Sequence, residues 1–300
     1  MRSTAIEFVH VDVFASAPYR GNSVAVVYDP VGLDGAQMLA TTRELRHFEA
    51  IFVRDERGCS RAGRRDAAVR VFDLFAELPF AGHPTLGAAV ALHRDAQVMG
   101  TRTWTLRYPG KAVEVTVRPL ASGWHAELDA GQPAPFVSVP TAELPRIATA
   151  FGLSIGDLCP DLPVEVGSTG LRYLVVPVVN GLDRASVVAD LTPLVASLGA
   201  DFAYLVDVDA LEGRHWNNDG VIEDVATGSA AGVVGAYLVR HGRAAPDRTI
   251  ELRQGRFVDR PSTISITVEG PADQPQRVRV GGGVHLVATG TIHALSELAS

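Results

Sequence analysis

Apolar and polar residues alternate in short runs along the first third of the chain, and the pattern predicts strands mixed with helices. Within residues 7–14 three valines recur at every second position, the period of a half-buried strand. Asp34 can cap a helix over 34–45, where apolar residues are spaced helically. Further strands are predicted at 23–28, 50–53, 67–75, 101–107, 112–118 and 123–129, with a polar loop at 54–65.

A glycine-rich turn at 77–87 leads into residues 88–92, which are small and apolar on every side. We expect these residues to form a buried helix. Because the turn immediately precedes it, the turn's polar side chains are expected at the start of that helix.

The second half of the chain repeats this order. A strand at 174–179, a helix at 191–198 and a strand at 202–206 precede a second glycine-rich turn at 223–232, which opens a small-residue helix to His241. We interpret this as a duplication; chance similarity between two small-residue helices is the alternative. Three prolines within 131–140 indicate the crossing between the halves. The predicted domains are 1–130, to which 284–300 can return, and 131–283.

Composition narrows the class of function. The 300 residues are 47% hydrophobic and carry 27 basic against 34 acidic side chains, a net charge of −7 that argues against a nucleic-acid surface. No apolar run approaches the ~18 residues of a membrane span. Cys59 and Cys159 form no disulfide framework, so we expect a cytoplasmic protein that acts on a small molecule.

The two glycine-rich turns suggest an anion site. The start of a helix exposes N–H groups and the positive end of the helix dipole, which together hold a carboxylate. Gly82 and His83 stand at the first predicted start, and Thr227, Gly228 and Ser229 at the second. Ordinary helix capping is the alternative interpretation of either turn.

Glu49 is the candidate proton carrier. It lies between Phe48 and the apolar run 50–53, surroundings that desolvate a carboxylate and suit it to general acid–base chemistry. An exposed glutamate at the start of a strand is the alternative. Asp224 can accept a hydrogen bond from substrate or orient a catalytic group, or it can simply complement a helix dipole.

Two cofactor classes are not expected. No histidine pair has a metal-ligand spacing, so we predict no catalytic metal. The glycines at 281–283 lack the spacing of a dinucleotide-binding loop, and we predict a turn or bulge there with no nucleotide cofactor.

Several motifs together resemble the PhzF-like family, named for the phenazine-biosynthesis isomerase, which shares the diaminopimelate epimerase fold. The resemblance covers most of the chain, and two of its blocks have ten or more residues. The matching segments are Asp12-Val13-Phe14 with Pro18 and Gly21-Asn22, the Glu49 segment, residues 77–87, residues 223–232, Gln254-Gly255 and Arg260-Pro261-Ser262.

The resemblance implies an α+β fold of two similar halves, each a curved mixed sheet wrapped around a central helix, with the active site in the cleft between them. It also implies a homodimer and a cofactor-free isomerase, in which Glu49 moves a proton between two substrate carbons. His83 and Asp224 match family residues that line the site. Gly82, Gly228 and Ser229 match those that bind the substrate's polar groups, and Thr227 occupies a comparable place.

Departures from the family pattern leave the substrate open. Residues 46–48 read Arg-His-Phe where the family usually has an Asn-Leu-Ser-like run. Ala81 and Thr227 stand where the related epimerases carry two cysteines, so a two-thiol racemase is not expected. The alternatives are an epimerase that pairs Glu49 with Asp224 or His83, and a non-catalytic small-molecule-binding protein.

Overall fold

The structure is a computed structural model that describes residues 5–29, 32–54 and 65–293. The chain divides into two compact units, the first formed by Met1–Leu128 with Gly281–Ser300 and the second by Asp129–Val280. Cys59 and most of the loop predicted at 54–65 lie outside the described residues, as do residues 294–300 of the predicted C-terminal segment.

The secondary structure is mixed, as the sequence pattern predicts. The strands are β1 (Ala5–Val13), β2 (Asn22–Asp29), β3 (Glu49–Arg54), β4 (Asp66–Asp73), β5 (Glu77–Leu78), β6 (Arg102–Tyr108), β7 (Lys111–Pro119), β8 (Trp124–Gly131), β9 (Val137–Ser138), β10 (Glu165–Ser168), β11 (Arg172–Val178), β12 (Phe202–Asp207), β13 (Glu212–Arg214), β14 (Thr249–Gln254), β15 (Ser262–Glu269) and β16 (Arg277–His293). The helices are α1 (Gly35–Leu45), α2 (Gly82–Asp95), α3 (Leu144–Ala150), α4 (Thr192–Ser197) and α5 (Gly228–Arg240).

The first unit is built on a mixed sheet in the order β1-β2-β3-β4-β6-β7-β8-β16. β1 also pairs with β16, so the first and the last strand of this order are hydrogen-bonded to each other. The pairs β2–β3 and β4–β6 are parallel, whereas β1–β2, β3–β4, β6–β7 and β7–β8 are antiparallel. Parallel neighbours need a crossover connection, and α1 supplies the one between β2 and β3.

The α1 helix begins where the sequence predicts. Asp34 and Gln37 form a reciprocal capping box, each side chain accepting a hydrogen bond from the other's backbone N–H. The helix ends at Leu45, and the C-cap residue Arg46 has a left-handed backbone with φ 56°. This ending returns the chain directly into β3, so Glu49 becomes the first residue of a central strand.

The α2 helix is buried through nearly all of its length, from His83 to Ala91. It begins at Gly82, earlier than the predicted 88–92, because Pro84 lies in the first helical turn, where its missing N–H removes no helical bond. Gly87 lies inside the helix rather than in a turn. An added Cβ there would come within 2.8 Å of Val24 and 2.9 Å of Val11, so close packing explains this glycine.

The second unit arranges β15-β14-β13-β12-β11-β10-β9 in a mixed sheet, with β11–β12 and β13–β14 parallel. Its α5 helix is buried from Ala230 to Val239 and contacts β10, β11 and β15. A separate apolar core, which includes Phe151, Leu174 and Trp216, packs α3 and α4 against this sheet. The described residues include no helix long and apolar enough to span a membrane.

The glycine run at 281–283 corrects one expectation. It lies inside β16 and not in a turn. A Cβ on Gly281 would meet the Ala126 carbonyl oxygen at 2.4 Å, and one on Gly283 would meet the Ala15 carbonyl oxygen at 2.2 Å. Close approach of neighbouring backbone therefore accounts for these two glycines within a strand.

Candidate active site

Glu49 and His83 meet inside the first unit. The Oε2 atom of Glu49 lies 3.5 Å from Nδ1 of His83, and the two side chains are only 13% and 10% exposed. Glu49 begins β3, while His83 is the second residue of α2. Burial of this extent disagrees with the alternative of an exposed glutamate at a strand start. The pair brings together a carboxylate and an imidazole, the two side chains used most often to transfer protons.

The start of α2 carries no side-chain cap among the described residues. Its N-cap residue is Ala81, which has no polar side-chain atom, and a Cβ added to Gly82 would meet nothing within 4 Å. The helix thus presents backbone N–H groups and open space beside the Glu49–His83 pair. This is the arrangement that holds an anion at a helix start.

Thr85 and Tyr108 form hydrogen bonds at this helix start. The Thr85 hydroxyl donates to the Ala81 carbonyl oxygen and lies 2.6 Å from the Tyr108 hydroxyl, which then donates to it. Burial raises the pKa of Tyr108, and the charge of Glu49 raises it further. Tyr108 therefore stays a protonated hydrogen-bond donor near Glu49.

The altered segment before Glu49 packs against β1 and β2. The rings of His47 and His10 meet edge to face with centroids 4.4 Å apart, and His47 Nδ1 lies 3.3 Å from Ser23 Oγ. Asp12 is fully buried and accepts a hydrogen bond from the Tyr19 backbone at 2.7 Å. The two His47 contacts attach the segment before the candidate acid to the sheet.

In the second unit, residues 215–224 fold back on themselves like a hairpin, and Asp224 lies at the end of this segment. Its backbone N–H donates to the His215 carbonyl oxygen at 2.9 Å. Arg214 forms a two-pronged ion pair with Glu223, at 2.9 and 2.6 Å, and both side chains are 9% exposed. Paired and bidentate charges of this kind fix geometry, so the pair sets the position of the residue that follows.

The remaining predicted residues of this unit gather around Asp224 at the start of α5. Thr227 donates a hydrogen bond from Oγ1 to Asp224 Oδ2 at 2.6 Å. Gly228 and Ser229 are the first two residues of α5, and Thr227, the N-cap residue, makes no capping bond with its side chain among the described residues. Ser229 Oγ lies 2.7 Å from the Tyr173 hydroxyl.

Aromatic rings surround this second helix start. His215 lies edge to face with Tyr173 and stacks on Tyr204, and its Nδ1 is 2.9 Å from the Ala203 carbonyl oxygen. Burial lowers the pKa of His215, with the charge of Asp224 acting in the opposite direction. Burial raises the pKa of Tyr173. These rings are therefore neutral near pH 7.

Sequence reasoning missed Tyr173 and the role of Gln254. The sequence shows Gln254 only as part of a family motif, yet its side-chain amide donates to the Asp224 carbonyl oxygen and to Thr227 Oγ1. One signal could have found it, because β14 alternates exposed and buried positions and Gln254 falls on the buried side after Ile250 and Leu252. A buried amide on an apolar face needs specific partners. No comparable signal points to Tyr173.

Comparison with known proteins identifies the family of the chain. Residues 11–290 match the family model PhzC-PhzF, described as phenazine biosynthesis-like protein. The chain belongs to this family. A trans-2,3-dihydro-3-hydroxyanthranilate isomerase of Pseudomonas chlororaphis is 34% identical to it, over 95% of this chain and 98% of the relative.

Two solved structures extend the family match. A protein of Pseudomonas aeruginosa described as a predicted epimerase is 44% identical, with a TM-score of 0.86 over 95% of this chain and 98% of that one. A PhzF-family protein of Bacillus anthracis shares the fold, with a TM-score of 0.81 at 22% identity over 96% and 99% of the two chains. The prediction of an isomerase of the PhzF-like family is confirmed, and so is a mixed-sheet α+β fold.

Proposed function

We propose that this isomerase moves a proton between two carbons of a small carboxylated substrate, with Glu49 as the single acid–base group and no cofactor. The observation that carries the proposal is the buried contact between Glu49 and His83 at the uncapped start of α2. A carboxylate in such surroundings is suited to accept a proton from carbon and to return it.

In this mechanism Glu49 takes a proton from a substrate carbon, and the electrons of that C–H bond enter the adjoining π system. Glu49 then delivers the same proton to a second carbon, so that one C–H bond is broken, another is formed, the double bonds shift and the hydroxyl-bearing carbon becomes part of an enol. No atom is gained or lost. The charge that develops on the enol oxygen is stabilised by hydrogen-bond donors fixed in advance.

We propose that the helix starts hold the polar groups of the substrate. Gly82 at α2 and Gly228 with Ser229 at α5 present N–H groups to which a carboxylate or an enolate can bind. His83 orients the Glu49 carboxylate, and Asp224 accepts a hydrogen bond from the substrate.

The test compound is trans-2,3-dihydro-3-hydroxyanthranilate, the compound in the name of the relatives, which is small, cyclic and carboxylated. Incubation in deuterated water should give an isomer labelled at one carbon, to an extent set by exchange of the Glu49 proton with solvent. Glu49→Gln should abolish both conversion and labelling. Full conversion by Glu49→Gln would reject the single-glutamate mechanism, and absence of conversion by the wild type would reject this substrate class.

An epimerase is the second candidate, because a solved structure 44% identical to this chain is described as a predicted epimerase. Here Glu49 and a second base, Asp224 or His83, would act on opposite faces of one carbon. The signature would be loss of optical rotation without a change in ultraviolet absorbance. A shift in absorbance, as a carbon–carbon double bond moves, favours the isomerase.

A further inference from the structure

A buried amide side chain connects the residues around Asp224. Gln254 ends β14, is 1% exposed and makes four hydrogen bonds. Its Nε2 donates to the Asp224 carbonyl oxygen at 2.9 Å and to Thr227 Oγ1 at 3.0 Å. Its Oε1 accepts from the Thr227 backbone N–H at 3.1 Å and from the Tyr204 hydroxyl at 2.9 Å. The amide therefore uses its full capacity of two donors and two acceptors.

The backbone fixes the direction of every bond in this network. A backbone N–H can only donate and a carbonyl can only accept, so the contacts to Thr227 N and Asp224 O leave one orientation for the Gln254 amide. Its second N–H must then donate to Thr227 Oγ1. The Thr227 hydroxyl has a single hydrogen, which is left for Asp224 Oδ2 at 2.6 Å.

We propose that Thr227 and Gln254 are positioning residues that hold the Asp224 carboxylate in one orientation, with Oδ2 as a hydrogen-bond acceptor. The inference rests on the proposed function in one respect, that Asp224 contacts the substrate. It changes the expected role of Thr227. Its hydroxyl hydrogen is committed to Asp224, and its backbone N–H to Gln254, so it acts through Asp224 rather than as a substrate ligand.

Variants of Thr227 separate positioning from simple stabilisation. Thr227→Val keeps the shape and removes the hydroxyl, whereas Thr227→Ser keeps it. With trans-2,3-dihydro-3-hydroxyanthranilate as substrate, Thr227→Val should lower kcat/KM by roughly ten- to a hundredfold, because a misplaced site group costs that much. Thr227→Ser should restore most of the activity.

The deciding comparison repeats Thr227→Val in an Asp224→Asn background. If Thr227 acts through Asp224, the second substitution adds no further loss, since the carboxylate that it positions is already gone. An equal fold-loss in both backgrounds would overturn the proposal. Binding of 3-hydroxyanthranilate, an aromatic analogue with no proton to move between ring carbons, should show the same dependence.

A structural readout tests the positioning role without activity. Gln254→Glu replaces the amide N–H donor by a carboxylate oxygen, which accepts hydrogen bonds. Crystal structures of Thr227→Val and Gln254→Glu should show the Asp224 carboxylate rotated from its wild-type orientation. An unchanged carboxylate in both variants would overturn the assignment. If the wild type neither converts nor binds the two compounds, the proposed function fails, and the carboxylate orientation still decides this inference.

Discussion

The two helix starts carry different chemistry, although both begin with glycine and lack a side-chain cap among the described residues. At α2, Glu49 and His83 lie 3.5 Å apart, with open space in front of Gly82. At α5, Asp224 is bonded to Thr227, which is bonded to Gln254. The α2 start pairs two groups that can exchange a proton, whereas the α5 start holds its carboxylate in a fixed network.

This difference shows that two similar helix starts can serve two roles, proton transfer and substrate binding. Proton transfer requires a group whose proton can leave and return, and binding requires donors and acceptors whose direction does not change. We therefore expect substitutions of the Glu49–His83 pair to affect turnover and substitutions in the Asp224 network to affect recognition.

Glu49→Gln should lower kcat/KM by about 10²- to 10⁴-fold, because an amide cannot accept the proton that the reaction moves. Asp224→Asn should lower it less, and chiefly through KM. Steady-state kinetics with trans-2,3-dihydro-3-hydroxyanthranilate measures both. Glu44→Gln, at an exposed position of α1, is the matched control and should leave both constants unchanged. If Asp224→Asn lowers kcat as much as Glu49→Gln does, the division of roles is wrong.

Arg214→Ala should lower the free energy of unfolding by about 3–5 kcal/mol, because it leaves the buried Glu223 carboxylate without its ion-pair partner. Urea unfolding provides the measurement. The control is Arg172→Ala, which breaks a pair with Asp201 that is 56% and 33% exposed and should cost about 0–1 kcal/mol. Equal losses in the two variants would contradict the structural role given to the Arg214–Glu223 pair.

Alanine at two glycines of α2 should affect different properties, stability at Gly87 and substrate binding at Gly82. Gly87→Ala places a methyl group against Val24 and Val11 and should cost about 1–3 kcal/mol of unfolding free energy through overpacking. Gly82→Ala meets open space and should change stability by no more than about 0.5 kcal/mol. Its effect should appear as a raised KM, since the methyl group occupies the space proposed for the carboxylate. An unchanged KM would argue against anion binding at α2.

Acid should destabilise both units through buried histidines. In the first unit, burial lowers the pKa of His125 from 6.5 to about 4, aided by the charge of Arg118. The unfolded chain therefore binds the proton first, and the stabilisation present above pH 6.5 is lost as the pH falls toward 4. Burial shifts the pKa of His215, in the second unit, in the same direction.

His125→Asn should flatten the pH dependence of stability within that window. Unfolding free energies at several pH values between the two limits supply the test, and the corresponding substitution of His215 shows which unit controls the acid sensitivity. A slope that stays unchanged in His125→Asn would show that His125 is protonated equally in the folded and unfolded chains.

The sequence was most informative where a local interaction determines the structure. The capping pattern at Asp34 predicts the start of α1, because the capping box involves residues only three positions apart. Gly82 and Gly228 could be paired in advance as equivalent helix starts. The glycines at 281–283 misled the prediction of a turn. Backbone atoms of Ala126 and Ala15 lie too close to Gly281 and Gly283 to leave room for a side chain, and the sequence does not show this.

Local chemistry by itself determined the residue types at the two helix starts, the apolar surroundings of Glu49 and the membership of a family. Tertiary structure alone decided which side chains those residues meet. Tyr173 reaches Ser229 across 56 positions, and Gln254 reaches Thr227 across 27. A hydrogen bond depends on distances of about 3 Å and on direction, which the chain acquires only when the sheets bring distant strands against the central helices.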